Sequence, residues 1–297
     1  MSVTVLIGGL ALLASPGHAG ASVARPPSAA MRRTIPSPPT IAGRNMAIQL
    51  NMYGGKGTGT GFNTTVAAQT LTQLQLRTNP MPVTVSLNEV CYTQWWTLWS
   101  QYFANNTYLY HTFWSHNRGS QCGDFGNVIM VRGSAGLYFG GSTQPFAQQA
   151  TDEPPGRKGW ACVASNLFGI VGCTSHLTAK TDPAGIRQEQ MWEYSVAINP
   201  FISNGNPLLA AGDFNLAYAD NSTAFLYWWY TLLKESDNVS LPIVSKRVTT
   251  DNHGSPNTGS TPKAIDYIWR YNPNSASGDA YILNLTSTDH HWLQMYL

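Results

Sequence analysis

The chain has 297 residues, of which 43% are hydrophobic and only 11% charged. That apolar share is enough for one large core, and the length suits a single folded domain. A net charge of +2 excludes a strongly basic nucleic-acid coat protein but leaves room for a local basic patch over a phosphate site. The charged fraction lies far below the roughly 25% usual in soluble domains. Asn, Thr, Ser, Gln and Gly take its place, a neutral polar surface that suits an extracellular protein.

Residues 1–24 read as a signal peptide. Val3 to Ala14 form a short apolar run, small residues follow at Gly17, Ala19, Ser22 and Ala24, and no Lys or Arg precedes the run; either the start is displaced or the free amino terminus supplies the positive end. A transmembrane anchor needs about 18 apolar residues, and this run is shorter, so the expectation is a secreted chain without an anchor. Residues 25–45 hold Pro26, Pro27, Pro36, Pro38 and Pro39 among Ser and Ala, the composition of a linker. The folded domain is expected over 46–297.

Within it, MAIQLN at 46–51 reads as a strand. GGKGTGTG at 54–61 looks like a phosphate-binding loop, but its lysine sits too early for the GxxxxGK[ST] pattern, and a plain loop is the better reading. Val66, Leu71, Leu74 and Leu76 have helical spacing over 63–79. PVTVSLNEV at 82–90 reads as a buried strand. Trp95, Trp96, Trp99, Tyr102 and Phe103 make one broad helical stripe over 93–104, read as core packing.

From 108 onward strands dominate: YLYHTFW, NVIMV, GLYFGG, GWACVAS and FGIVGCTSHL. Asp182 and Pro183 look like the start of a helix over 184–198. PLLAAGD at 207–213 is another buried strand, and a Trp- and Tyr-rich helix is expected at about 223–234. Segments 264–269, 280–285 and 291–297 close the domain as strands. Strands outnumber the helices that punctuate them, and many connections are too short for crossover helices. The fold class is therefore α/β: a four-layer sandwich of two packed mixed or antiparallel sheets with helices outside.

Four cysteines in an exported chain favour disulfides. Cys162 and Cys173 lie in two apolar runs with little between them, as in a hairpin, so they are expected to pair, which leaves Cys91 with Cys122. A metal site is the competing reading, unsupported by any CxxC spacing.

Polar residues sit where strands end: Asn51, Glu89, His176, Asp213 with Asn215, Asp266 inside AIDYIW, and Asp289 with His290. Polar groups tethered to apolar runs are costly unless paired, hydrated or bound. Taken singly, each has a bland account: Asp213 and Asn215 could form a turn, His176 could be a satisfied core histidine, and Glu89 a surface carboxylate. Gathered at one rim, they would suit phosphate-ester hydrolysis. A hard cation held by carboxylates offsets the anionic ester, a carboxylate or imidazole takes the proton of water, and Asn and His N–H groups stabilise the developing charge.

The ordered set SLNEV, TSHL, AAGDFNL, AIDYIW and STDHHWL closely resembles the endonuclease/exonuclease/phosphatase superfamily, the fold of pancreatic-type deoxyribonuclease, bacterial sphingomyelinase and inositol-polyphosphate phosphatase. The resemblance implies roles by position. Glu89, Asn51 and Asp289 would serve the metal, with Mg²⁺ as default and Mn²⁺ or Ca²⁺ as alternatives. Asp213 would orient or deprotonate the water, Asn215 would donate to the transition state, and His290 would face the scissile phosphate, oriented by Asp266. His176 matches a second histidine of the deoxyribonuclease-like branch. Asn127, and Arg157 or Lys158, fall where phosphate contacts recur. Thr288 replaces a usual serine, His291 adds a decoy ligand, and Asp124 is a guess for the carboxylate partner of His176.

The function implied is a secreted, metal-dependent phosphodiesterase of nucleic acid, with no obligate protein partner evident. The alternative on the same scaffold is a phospholipid, sphingomyelin or inositol-phosphate phosphoesterase. A non-catalytic relative predicts erosion of the chemical residues, which are all present. A structural zinc site is disfavoured because His290 and His291 are adjacent and lack tetrahedral spacing. Trp228, Trp229 and Trp269 read as packing before base-stacking residues.

Overall fold

The computed structural model describes residues 45–52, 64–119, 121–133, 138–150, 158–165, 169–179, 185–203, 207–215, 266–271, 280–285 and 290–296. The leader and linker, the GGKGTGTG loop, the helix expected at 223–234, and Asp182 with Pro183 lie outside them, as do Trp228 and Trp229.

Each strand expected from residue 46 onward forms. In chain order they are β1 (Met46–Asn51), β2 (Pro82–Cys91), β3 (Tyr108–Asn117), β4 (Asp124–Arg132), β5 (Tyr138–Pro145), β6 (Gly159–Ser165), β7 (Ile170–His176), β8 (Leu208–Asp213), β9 (Asp266–Tyr271), β10 (Ala280–Asn284) and β11 (His291–Tyr296). They form a six-stranded sheet in the order β10-β11-β1-β2-β4-β3 and a five-stranded sheet in the order β5-β6-β7-β8-β9. Pairing is mixed: β1 with β2 and β7 with β8 are parallel, and the remaining neighbours are antiparallel.

Among the described residues, three α-helices lie outside the sheets: α1 (Thr64–Gln75), α2 (Tyr92–Leu98) and α3 (Ile186–Ser203). Val66, Leu71 and Leu74 of α1 and Trp95 and Leu98 of α2 pack on Ile48, Leu50, Val85 and Leu87 of the first sheet. Met191, Tyr194 and Ile198 recur at helical spacing along α3 and cover Cys173, Leu208 and Ala210 of the second. Between the sheets, Ala47, Val83, Ile129, Val163, Leu209, Ile268 and Leu293 form a third apolar layer. The four layers follow from alternation, since successive residues of a strand face opposite sides. In β1, Met46, Ile48 and Leu50 face the helices while Ala47 faces the other sheet. Gly172 lets the sheets close, because a Cβ there would lie 2.6 Å from both Thr84 Cγ2 and Val131 Cγ2.

Two expectations need correction. The helical spacing over 63–79 extends past the helix itself: α1 stops at Gln75 and Leu76 is 49% exposed. The aromatic stripe is only partly core. Trp95, Tyr102 and Phe103 are buried, whereas Trp96 is 48% exposed, because at about 100° per residue it turns away from the face that Trp95 and Leu98 bury in α2; a π-helical turn at Trp99–Phe103 and a 3₁₀ turn at Ala104–Asn106 follow. Trp269 is packing, as expected, buried among Tyr194, Phe214 and Tyr267.

Both cysteine pairings form, Cys162–Cys173 across the β6–β7 ladder and Cys91–Cys122 between β2 and the turn before β4. Among the described residues, no helix is long and apolar enough to cross a membrane.

Candidate active site

The layer between the sheets is apolar at one end and polar at the other. In the first sheet the inward positions change to Gln49 and Asn51 in β1, Ser86 and Asn88 in β2, and Asn127 in β4, all buried. In the second sheet the facing positions become Thr174 and His176, Asp213 and Asp266, also buried. Register sets them in rows. Asn51 lies opposite Asn88, and His176, Asp213 and Asp266 lie side by side across β7, β8 and β9. The rows meet where Asn51 Nδ2 donates to Asp213 Oδ2 at 2.9 Å.

His290 enters just before β11 and is 1% exposed. Its Nδ1 is 2.6 Å from Asp266 Oδ2 and its Nε2 is 3.7 Å from Asp213 Oδ2. The short contact to Asp266 places the Nδ1 proton and turns Nε2 toward Asp213, which fixes the tautomer of the neutral ring. His176 approaches the same oxygen from the other side, its Nε2 at 3.7 Å from Asp213 Oδ2 and 3.8 Å from Glu89 Oε1. Lys158 Nζ completes this flank, 3.3 Å from His176 Nε2.

Glu89 should point away from the neighbouring sheet, since Asn88 points into it. It does not, because β2 and β4 slip register between Leu87 and Val90 and Glu89 takes φ 49°. A bulge re-aims the side chain it carries, and a non-glycine residue in the left-handed region costs on the order of 1 kcal/mol or more. Asn215 is likewise left-handed, at φ 50°. Its N–H donates to Asp213 Oδ1 at 2.9 Å and its Nδ2 to Leu177 O at 2.9 Å. Arg187 Nη1 holds the Asn215 carbonyl at 2.6 Å.

Beneath the charged groups lies a neutral network that the sequence reading did not single out. Asn88 Oδ1 accepts from Gln49 Nε2 at 2.7 Å and from the Asp213 N–H at 2.9 Å. Asn88 Nδ2 faces Asn127 Oδ1 at 3.0 Å, Ser175 O at 3.1 Å and Thr174 Oγ1 at 3.2 Å. Ser86 Oγ bridges Gln49 Oε1 and Thr174 Oγ1, and Gln49 Nε2 also reaches Asp266 Oδ1 at 3.3 Å. The signal was present in the alternation: Gln49 and Asn51 share one face of MAIQLN, and Ser86 and Asn88 share one face of PVTVSLNEV. A pair of polar residues on the inward face of a buried strand marks the polar end of the layer.

Burial, and next the nearby Asp266, push the Asp213 carboxyl up from 3.8 to about 7, against the opposing pull of His290 and the hydrogen bonds from Asn51 and Asn215. Ligand atoms of Asp213, Asp266 and His290 lie within 4.8 Å of one another, and the three could hold a metal ion. Two acids buried side by side, with Glu89 at their edge, are a hard-oxygen donor set that a divalent cation fits.

The structure thus brings together Asn51, Glu89, Asn127, Lys158, His176, Asp213, Asn215, Asp266 and His290. Asp289 and Arg157, and the side chain of His291, lie outside the described residues. Asp124 is not the partner of His176. It accepts from Asn117 Nδ2 at 3.1 Å across the β3–β4 hairpin, while Glu89 and Asp213 flank His176, the first because the bulge turns it inward.

A model of the Endonuclease/Exonuclease/phosphatase family matches residues 48–290. No curated protein sequence matches the chain. Among solved structures, an endonuclease/exonuclease/phosphatase from Beutenbergia cavernae shares the fold with a TM-score of 0.59 and 16% identity, over 84% of this chain and 70% of that one. The human Nocturnin catalytic domain with bound sulfate aligns with a TM-score of 0.55 and 16% identity, over 92% and 98%. TDP2 of D. rerio, complexed with a single strand DNA product, aligns with a TM-score of 0.57 and 18% identity, over 86% and 98%.

Proposed function

The chain belongs to the endonuclease/exonuclease/phosphatase family of phosphoesterases, and on that premise we propose that it is a divalent-metal-dependent phosphodiesterase of nucleic acid that acts outside the cell. The observation that carries the reading is the convergence on one buried carboxylate: Asn51, His176 and His290 all reach Asp213 Oδ2, and Asp266 holds His290 from behind.

The residues divide the work of hydrolysis. Asp266 keeps Nδ1 of His290 occupied, so Nε2 presents its proton to a phosphate oxygen when the ring is charged. Asp213, lifted to about 7 by burial and Asp266, has the basicity to take a proton from the attacking water near neutral pH. Asn51, His176 and the Asn215 N–H hold that carboxylate in place, which limits reorganisation during the reaction. Lys158, beside His176, is the phosphate contact we assign, Asn127 backs it from the buried network through Asn88 and Gly159, and Asn215 is the further donor to the transition state. Glu89 and Asn51, with Asp289, are the oxygen donors we assign to a cation, Mg²⁺ first and Mn²⁺ or Ca²⁺ next; when bound it supplies charge to offset the diester and the leaving oxygen.

Nucleic acid is favoured by the D. rerio neighbour, whose structure holds a DNA product. Export is supported by the apolar leader at 1–24 and by two disulfides, which persist in oxidising compartments. One observation speaks for a second reading, a phospholipid or sphingomyelin phosphoesterase: Tyr92, Trp96 and Tyr110 are 37%, 48% and 42% exposed on α2 and β3, an aromatic surface able to meet a lipid interface.

A substrate panel separates the two. Purified protein is incubated with plasmid DNA, single-stranded DNA, RNA, sphingomyelin vesicles and an inositol polyphosphate, with Mg²⁺ or with chelator. Chelator-sensitive cleavage of nucleic acid, lost in Asp213→Ala and His290→Ala, is the expected result. Hydrolysis of sphingomyelin alone would move the assignment to the second reading, and unchanged activity in both variants would end the catalytic one.

A further inference from the structure

We propose that Arg118, at the tip of the β3–β4 hairpin and positioned there by His116, forms with Lys158 a second phosphate subsite that grips a neighbouring phosphate of a polymeric strand. The proposal rests on the phosphodiesterase reading and adds the length of substrate the site engages.

The placement follows from register. Phe125 of β4 lies opposite His116 of β3 on one side and opposite Cys91 of β2 on the other. It precedes Asn127 by two residues, about 7 Å along the strand, and by alternation shares its face. Asn127 Nδ2 reaches Gly159 O at 3.4 Å, so Lys158, the preceding residue, sits across the mouth from this stretch of β4. The hairpin tip therefore continues the line that begins at His176 and Lys158.

The arm is held firmly. The Cys91–Cys122 disulfide ties the tip to β2, two residues beyond Glu89. Thr93 Oγ1 donates to Gln121 O at 2.9 Å, Arg118 N–H to Gly123 O at 2.8 Å, and Gly119 N–H to Asn117 Oδ1 at 2.9 Å. Arg118 is exposed but fixed: its Nε donates to His116 Nε2 at 3.0 Å and its guanidinium lies 4.2 Å over the Phe125 ring. Among the described residues, neither Nη of Arg118 meets an acceptor, and Asp124, the acid in the hairpin, is engaged by Asn117 instead. A guanidinium oriented by a ring and one hydrogen bond, with its outer edge open, is the geometry that takes a phosphate bidentately. Burial, then Arg118, then Lys158 hold the His116 pKa below its ordinary value, as expected where cationic groups gather on one ring.

The test compares Arg118→Gln, Phe125→Leu and, at the far end of β4, Arg132→Gln with the wild type on two substrates: a single-stranded oligonucleotide and bis-p-nitrophenyl phosphate, a diester with one phosphorus. Arg118→Gln should lose roughly tenfold in kcat/KM on the oligonucleotide, chiefly through KM, with the small diester unchanged. The slope of log KM against log salt should fall by about 0.7 for the lost contact with a single strand. Phe125→Leu should lose less on the same substrate, and Arg132→Gln nothing. Equal losses on both substrates, or no loss on the oligonucleotide, would overturn the subsite while leaving the phosphodiesterase reading intact. A wild type that cleaves the small diester and no nucleic acid would overturn both.

Discussion

Replacing Asp213 with Asn should abolish hydrolysis and, in the metal-free protein, raise stability at neutral pH. The Asp213 carboxyl titrates at 3.8 when unperturbed and at about 7 in the fold, chiefly because it is buried and next because Asp266 is close. At about 1.4 kcal/mol for each tenfold step in proton affinity, keeping it ionised at pH 8 costs about 4 kcal/mol. Asn has nearly the same shape and no charge. It has one acceptor oxygen, however, where Asp213 uses two, toward Asn51 Nδ2 and Asn215 N, and the lost bond costs about 1 kcal/mol. The balance is about 3 kcal/mol in favour of Asn, or roughly 6–12 °C in Tm for a domain of this size. The sign with pH is fixed. A carboxyl whose folded pKa is raised contributes most stability below the unfolded value, loses it as pH rises from about 4 to about 7, and contributes nothing further above. The advantage of Asn should therefore be absent or slightly negative at pH 4, grow through pH 5 and 6, and level off above pH 7. Thermal unfolding of both proteins in chelator, from pH 4 to pH 8.5, measures it. A difference in Tm that is flat across that range, or a variant less stable than the wild type at pH 8, would refute the account of Asp213 as a charge held against its preference.

Other perturbations address the neighbouring groups. Asp266→Asn removes the charge that orients His290 while keeping its shape, and should lower kcat by about 10²–10⁴ with little effect on KM; a loss under tenfold would detach Asp266 from catalysis. Glu89→Gln should raise the divalent concentration needed for half-maximal activity, read from a metal titration, by about tenfold or more. Glu89→Gly should gain about 1 kcal/mol of stability by relieving the φ of 49° while losing activity, so a destabilised variant would contradict the strain argument. Asn88→Ala should cost about 2–4 kcal/mol in denaturant unfolding, because it strands the buried Asp213 N–H and removes the hydrogen bonds to Gln49 Nε2 and Ser175 O.

Legibility in the sequence tracked distance along the chain. The strands read well because alternation and apolar runs are local: Met46–Asn51 and Pro82–Cys91 come almost as expected. The hairpin disulfide Cys162–Cys173 was also legible, since its partners face one another across a short turn. What failed was long-range or bulge-dependent. No local pattern shows that β2 slips register after Leu87 and swings Glu89 toward His176, which is why the carboxylate beside His176 is not legible in sequence. Gln49 and Asn88 are 39 residues apart and meet only because β1 and β2 run parallel. Their polarity was visible in sequence, but which face would be buried was not.

The neutral network explains how the fold tolerates its charges. Asp213 and Asp266 sit in a layer that, a few residues away, is Ala47, Leu209 and Ile268. Packed directly against that layer, two carboxylates would have no donors and would protonate. Gln49, Ser86, Asn88 and Thr174 stand between as a connected set of amides and hydroxyls: Gln49 Nε2 donates to the Asp266 carboxylate, and Asn88 Oδ1 accepts the Asp213 backbone N–H. They are fixed by two sheets before any ligand arrives, so the dipoles that steady the acids need no rearrangement when charge moves. The apolar end of the layer stabilises the sandwich, and the amide tier passes that rigidity to the acids and histidines, which holds Asp213 at a basicity useful near neutral pH without letting its neighbourhood collapse around it.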